Sequence, residues 1–209
     1  MKFGFLTATA FLLTGCAGRG DEAAPQSAPA PRAVAWRDIA TEDDRSRLRK
    51  WRDAWMQGLA KARAAGHGSA IAGEGALLKP DGALDWRELP AGNYQCRVIK
   101  MGAKSTGLLD YVAYPPFNCR IRPENGALGF AKLTGSQRPI GLIFPDTNKR
   151  HIFLGTLQLG DEQTALQYGR DRERDLAGIV ERVGERRWRI AFPFPHFEST
   201  LDVLELTYS

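Results

Sequence analysis

No stretch of the chain holds an apolar run long enough to cross a bilayer as a helix, which takes about 20 residues. Cysteine is scarce. The three present are Cys16, Cys96 and Cys119, and no pair has CxxC spacing, so a zinc ribbon or a thioredoxin-like redox motif has no support. Histidine is equally sparse, at His67, His151 and His196. A GxSxG elbow is missing, which removes the usual frame for a serine triad. Lys100–Asp110 contains glycine, Lys104 and Ser105, but lacks the GxxxxGK[ST] pattern of a nucleotide loop. Charge of one sign is not concentrated either. Against 29 Lys and Arg stand 24 Asp and Glu, a net +5, interspersed as in "GRDRERD" at Gly169–Asp175. Nucleic-acid binders gather their excess, so no nucleic-acid partner is expected. A metal site from His151, His196 and Asp146 has no spacing in its favour, and no motif points to a cofactor, so neither a metal nor a cofactor is expected.

The chain opens with the positive Met1-Lys2, then the mostly apolar Phe3–Leu13, then Leu13-Thr14-Gly15-Cys16. Charged start, short apolar run and small residues before a cut make a secretory signal. Leu-x-Gly-Cys resembles the lipobox of bacterial lipoproteins. That resemblance implies removal of residues 1–15 and lipidation of Cys16, with the protein held in the cell envelope and facing the periplasm. Ala17, not Asp, follows the cysteine, which in enterobacterial lipoproteins points to the outer membrane. Ala17–Arg32 is rich in Ala, Pro, Gly and Ser and has no apolar periodicity, so residues 16–35 read as a lipidated cysteine and a disordered, extended tether. Residues 36–209 then suit one domain by length.

Thr41 followed by Glu42, Asp43 and Asp44 has the chemistry of a helix start: a capping hydroxyl, then acids at the positive end of the helix dipole. Leu48, Trp51, Trp55, Leu59 and Ala62 recur at helical spacing, and Gly66 ends the pattern. The stripe predicts packing against a later sheet. A shorter helix is expected over Ser69–Leu78. Beyond Pro90 the period drops to two, broken by Gly, Pro, Asn and Asp. Strands are predicted at Tyr94–Met101, Tyr111–Tyr114, Phe117–Arg122, Ala127–Thr134, Ile140–Phe144, Ile152–Leu159, Thr164–Tyr168, Leu176–Val183, Trp188–Phe194 and Leu201–Tyr208. The class is therefore α+β, mainly β: N-terminal amphipathic helices on an antiparallel barrel or sandwich of about 8–10 short strands. A barrel is preferred because closure removes exposed edges.

"YQCRVIK" at Tyr94–Lys100 echoes "FNCRIR" at Phe117–Arg122. If the two strands are neighbours, Cys96 and Cys119 face the same side and form a buried disulfide, as leftover thiols of an exported chain do. The opposite face then carries Arg97, Arg120 and Arg122. With Lys100 and Lys104 nearby in sequence, these are candidate anion-binding residues for phosphate or carboxylate; a solvated outer sheet face is the plainer alternative. Tyr111, Tyr114, Pro115, Pro116 and Phe117 form an aromatic-proline patch that suits a barrel mouth, an apolar ligand or plain hairpin packing. Glu198 and Glu205 lie on the last strand region without an evident acid partner for glycoside chemistry. No residue is assigned a catalytic role.

Four stretches together resemble a family known as domain of unknown function 4893, found among exported alphaproteobacterial proteins: Arg47–His67, Tyr94–Arg120, Ile140–Asp146 and Arg187–Leu206. The resemblance implies export, a single compact domain and no assigned activity, and it transfers no functional residues. The closing stretch is also similar to small lipocalin- or avidin-like barrels, although the Gly-x-Trp opening of lipocalins is missing. The expected function is that of a membrane-tethered binding or interaction module, whose partner is an envelope protein or a small anionic ligand. An envelope hydrolase and an inhibitor of an exported protease are the alternatives.

Overall fold

The computed structural model describes Met1 and residues 35–208. The signal, lipidation and tether assignments at residues 2–34 lie outside the described residues.

After Pro90 the chain forms β1 (Gly92–Ala103), β2 (Tyr111–Ala113), β3 (Phe117–Glu124), β4 (Ala127–Lys132), β5 (Gln137–Pro145), β6 (Arg150–Leu159), β7 (Asp175–Gly184), β8 (Arg187–Pro193) and β9 (Ser199–Tyr208). All neighbours are antiparallel, and β9 returns to pair with β1 from Tyr94↔Tyr208 to Ala103↔Ser199. Eight strands thus close into a barrel, with β2 a short flap on β1. Closure satisfies the backbone of every long strand, which a sandwich leaves open at its edges. The alternation that predicts the strands also decides their faces. Tyr94, Cys96, Cys119, Ile121, Phe130, Ile143, Phe153, Val180, Trp188, Ile190, Phe192, Leu204 and Leu206 pack inward as one core. Phe130, Phe153 and Phe192 stack edge to face through its centre, with centroids 5.8 and 5.5 Å apart. Cys96 and Cys119, on neighbouring strands, are joined by a disulfide with Cα atoms 5.8 Å apart. It closes a loop of 23 residues, a constraint on the unfolded chain that contributes about 3 kcal/mol.

One strand expectation fails. Residues 164–168 are a loop between β6 and β7. The loop is held to the rest of the fold: the Tyr168 hydroxyl donates to the fully buried Asp44, and just before it Arg138 and Gln158 hold the Glu162 carbonyl.

The helices pack on the barrel's outer wall. Thr41 caps α2 (Glu42–Arg49) by accepting from the Asp44 N–H at 3.2 Å. The predicted long helix is interrupted at Lys50 (φ −94°, ψ 15°), after which α3 (Trp51–Ala64) begins. The break splits the apolar stripe between two cores. Leu48 joins Phe144, Ile152 and Ile179, whereas Trp55, Leu59 and Ala62 meet Ile99, Met101, Leu201 and Val203. α1 (Trp36–Ile39) is pinned to the β5–β6 turn by the Trp36 indole, which donates to Asp146 at 2.8 Å. Past Gly66 (φ +90°), α4 (Gly68–Gly73) and the 3-10 turn Gly75–Leu78 divide the second predicted helix.

The barrel's two ends differ. Residues 84–90 cross one of them: Leu84 bridges Arg182, Trp86 stacks on His151 at 3.6 Å, and Leu89 is buried among the core side chains. The Tyr94 hydroxyl donates to the Pro90 carbonyl and completes this plug. The other end, framed by the loops after β1, β2, β4, β6 and β8, stays concave.

Candidate functional site

The inward alternation of β1, β4 and β9 places polar residues one step beyond the aromatic core. On β1, Tyr94, Cys96 and Val98 lead to Lys100; on β4, Phe130 leads to Lys132; on β9, Leu204 leads to Asp202. These positions line a recess of about 140 Å³ at the open end. Tyr114, Phe117, Leu157, Phe192 and Phe197 form its apolar walls, and Gln137 and Pro139 close the β5 side. An apolar cavity of about this size accommodates benzene. The lip is the loop Phe194–Glu198, whose end residues adopt φ +48° and +63°. Non-glycine residues occupy that left-handed region only where their surroundings hold them there.

Two lysines sit in the mouth with opposite surroundings. Lys100 Nζ lies 2.9 Å from Asp202 and 3.2 Å from Glu198. Burial works against its charge, but the two carboxylates outweigh it, and its pKa rises. Lys132 is 4% exposed, and its Nζ donates to the carbonyls of Thr134 and Gln137 at 2.7 and 2.8 Å. The Phe117 ring lies 3.6 Å from that nitrogen. An ammonium has three donors, and the third finds no oxygen among the described residues, nor does any carboxylate pair with this lysine. Burial, then the nearby Arg138 and Lys100, push Lys132 down to about 8. At neutral pH it is a buried cation held without a counter-ion.

The remaining sequence candidates scatter. Arg97 points outward and is clamped by Glu74 and Glu205 at 2.5 and 2.8 Å. Arg120 and Arg122 are on the outer face of β3. Lys104 reaches the Pro195 carbonyl beside the mouth, and burial, then Arg47 and Lys100, lower its pKa. The five cations grouped in sequence therefore do not form one cluster: Lys100 faces in, Arg97 faces out, and the two are separated by the barrel wall. His196 lines the mouth, and burial, then Arg47, lower its pKa; its Nε2 lies 3.6 Å from Asp43 and has no hydrogen-bond partner among the described residues. His151 sits at the plugged end under Trp86. Glu198 belongs to the mouth and Glu205 to the outer wall. His67 stacks on Tyr111 outside the barrel. Of the aromatic-proline patch, Tyr114 and Phe117 do line the mouth.

Lys132 and Asp202 escape sequence reasoning because a lone lysine ending a strand resembles any solvated terminus. The usable signal is parity: Phe130 and Lys132 share a face, as do Leu204 and Asp202.

A family model described as domain of unknown function (DUF4893) matches residues 36–206. No curated protein and no solved structure matches the chain. The match spans the helices and the whole barrel, and the chain belongs to the DUF4893 family.

Proposed function

We propose that the domain is a ligand-binding module of the bacterial envelope, and that its barrel mouth takes a compact carboxylate with an aromatic or branched body. Lys132 is the observation that carries this reading. An amine buried beside Phe117, without a counter-ion, is costly unless paired, and a bound carboxylate supplies both the missing charge and the missing acceptor. The recess limits the inserted group to about the size of benzoate. Titration calorimetry with benzoate is the test. Binding is expected to weaken by about tenfold or more in Lys132→Met, the loss typical of a charge-assisted hydrogen bond. No binding, or binding unchanged by Lys132→Met, contradicts the proposal.

The location is proposed on the lipobox alone: lipid on Cys16 anchors the chain, facing the periplasm and on the outer membrane. Cell fractionation checks it. Cys16→Ser is expected to move the protein from the membrane to the soluble fraction, and a Cys16→Ser protein that still sediments with membranes contradicts the anchor.

A further inference from the structure

Among the described residues, the helices cover two sides of the barrel's outer wall. α3 and the 3-10 turn lie over β1, β8 and β9, and α1 and α2 lie over β6 and β7. Among the described residues, no helix lies on the outward faces of β3 and β4 or on the Ile140 end of β5, whose other end meets α1 and α2 at Phe144. Their register sets side chains in two rows across the strands: Arg120, Ala131, Ile140 and Thr156, then Arg122, Gly129, Leu142 and Leu154. Because β4 contributes only Ala131 and Gly129, a trough of about 510 Å³ opens between the arginines and the aliphatic rows, with Ile39, Leu166 and Tyr168 along its far side and the Glu124 carboxylate over Gly129 at its Arg122 end, which leaves Arg120 as the open cation.

Three observations give the trough a ligand. Its edges expose Ile39, Leu133 and Leu166 at 38%, 43% and 42%, and apolar surface gathered in one groove marks an interaction site. Arg120 meets only Asn93, at 3.0 Å, and Arg122 makes no ion pair among the described residues, in a molecule where most buried-edge arginines are matched to an acid. Thr156, 2% exposed at the other end of the Arg120 row, has a buried hydroxyl with no hydrogen-bond partner. Three strand spacings separate the arginine strand from Thr156, about 14 Å.

We propose that this trough binds a free single-chain carboxylate amphiphile, with its head on Arg120 beside Arg122, its chain over Ala131 and Leu142, and an oxygen near its far end on Thr156. A peptide fits less well. The floor is a sheet face, whose N–H and C=O groups are already spent in the ladder, so a buried peptide backbone would lose its hydrogen bonds to water without replacement. A chain of methylenes has no such groups. Guanidinium pairs with carboxylate in the planar, two-point geometry that a lone head group offers.

The experiment uses the full chain carrying Cys16→Ser and titrates ω-hydroxydodecanoate, with dodecanol and phosphatidylglycerol vesicles as parallel arms. Saturable binding of the hydroxy acid is expected. It should weaken about tenfold in the Arg120→Ala, Arg122→Ala double variant and several-fold in Thr156→Val. Ala131→Trp, which fills the trough, should abolish it. Thermal unfolding of each variant confirms the fold, and the arginine pair, being on the surface, gives a readout even if the tryptophan variant unfolds. Lys132→Met is expected to leave this binding unchanged, which separates it from the mouth. The proposal is overturned by an absence of binding, by equal binding of dodecanol, by binding to vesicles alone, by retention in Ala131→Trp, or by loss in Lys132→Met.

Discussion

Lys132 shows how strongly one residue's meaning depends on its surroundings. Lys100 and Lys132 stand on the same inner wall, yet one is matched to two acids and titrates high, and the other has only carbonyls and a ring. The difference predicts a pH profile for carboxylate binding at the mouth. A carboxylate with an ordinary pKa near 4 is ionised throughout the neutral range, so the profile follows the lysine. Below about 8 the amine is charged and affinity is level; above it the free protein loses the proton that the bound anion favours, and affinity falls, by up to about tenfold per pH unit. Calorimetry between pH 6.5 and 9.5 measures this, and a profile flat across pH 8 would assign the binding elsewhere. None of this was legible in "GFAKL", where Lys132 reads as an ordinary strand end; the sequence carries its parity but not the closure of the barrel that buries it.

The elements are joined by a second buried charge, and here the cost of removal falls on stability. Arg189 is fully buried on the outer wall of β8, and its pKa is lowered, chiefly by that burial. It pairs with Glu181 at 2.5 Å and lies over the Trp55 ring. It also donates to the carbonyls of Ala76, Leu77, Lys79 and Pro80 at the end of the 3-10 turn. Two of those carbonyls also accept a backbone N–H, Ala76 from Lys79 and Lys79 from Gly82, whereas the Leu77 and Pro80 carbonyls face the guanidinium at the open end of the turn. One side chain thereby fastens the helical layer to the barrel. Arg189→Met leaves the buried Glu181 with Arg150 alone and takes the donor from the Leu77 and Pro80 carbonyls, and urea unfolding should show a loss of about 3–5 kcal/mol; a loss below about 1 kcal/mol would mean that packing alone holds the layer. Strand parity puts Arg189 on the face opposite Trp188 and Ile190 but does not say what covers that face. Helices far away in the chain cover it, and a period of two cannot report what lies above a strand. The same limit explains the Lys50 break, where an unbroken apolar stripe serves two separate cores.

At the scale of the molecule, the legible parts were those with a repeating period or a repeated motif. Alternation delivered nine of the ten expected strands, and the echo of "YQCRVIK" and "FNCRIR" delivered the shared face of Cys96 and Cys119 and with it the disulfide. The loop at 164–168 mimicked a strand because its Leu166 and Tyr168 serve the outer wall, not a ladder. The ends of the barrel were not legible, since a plug at residues 84–90 and a mouth ringed by five loops arise from contacts across the whole chain. That asymmetry, one end filled and one end concave around an uncompensated amine, is the basis for assigning binding to the mouth. The measurement that tests it most directly is a map of backbone and side-chain amide chemical shifts during a benzoate titration. The account predicts saturable changes confined to Lys132, Phe117, Tyr114, Gln137 and the Phe194–Glu198 lip, with the plugged end silent. Changes centred on Trp86 and His151, or none anywhere at saturating benzoate, would contradict it.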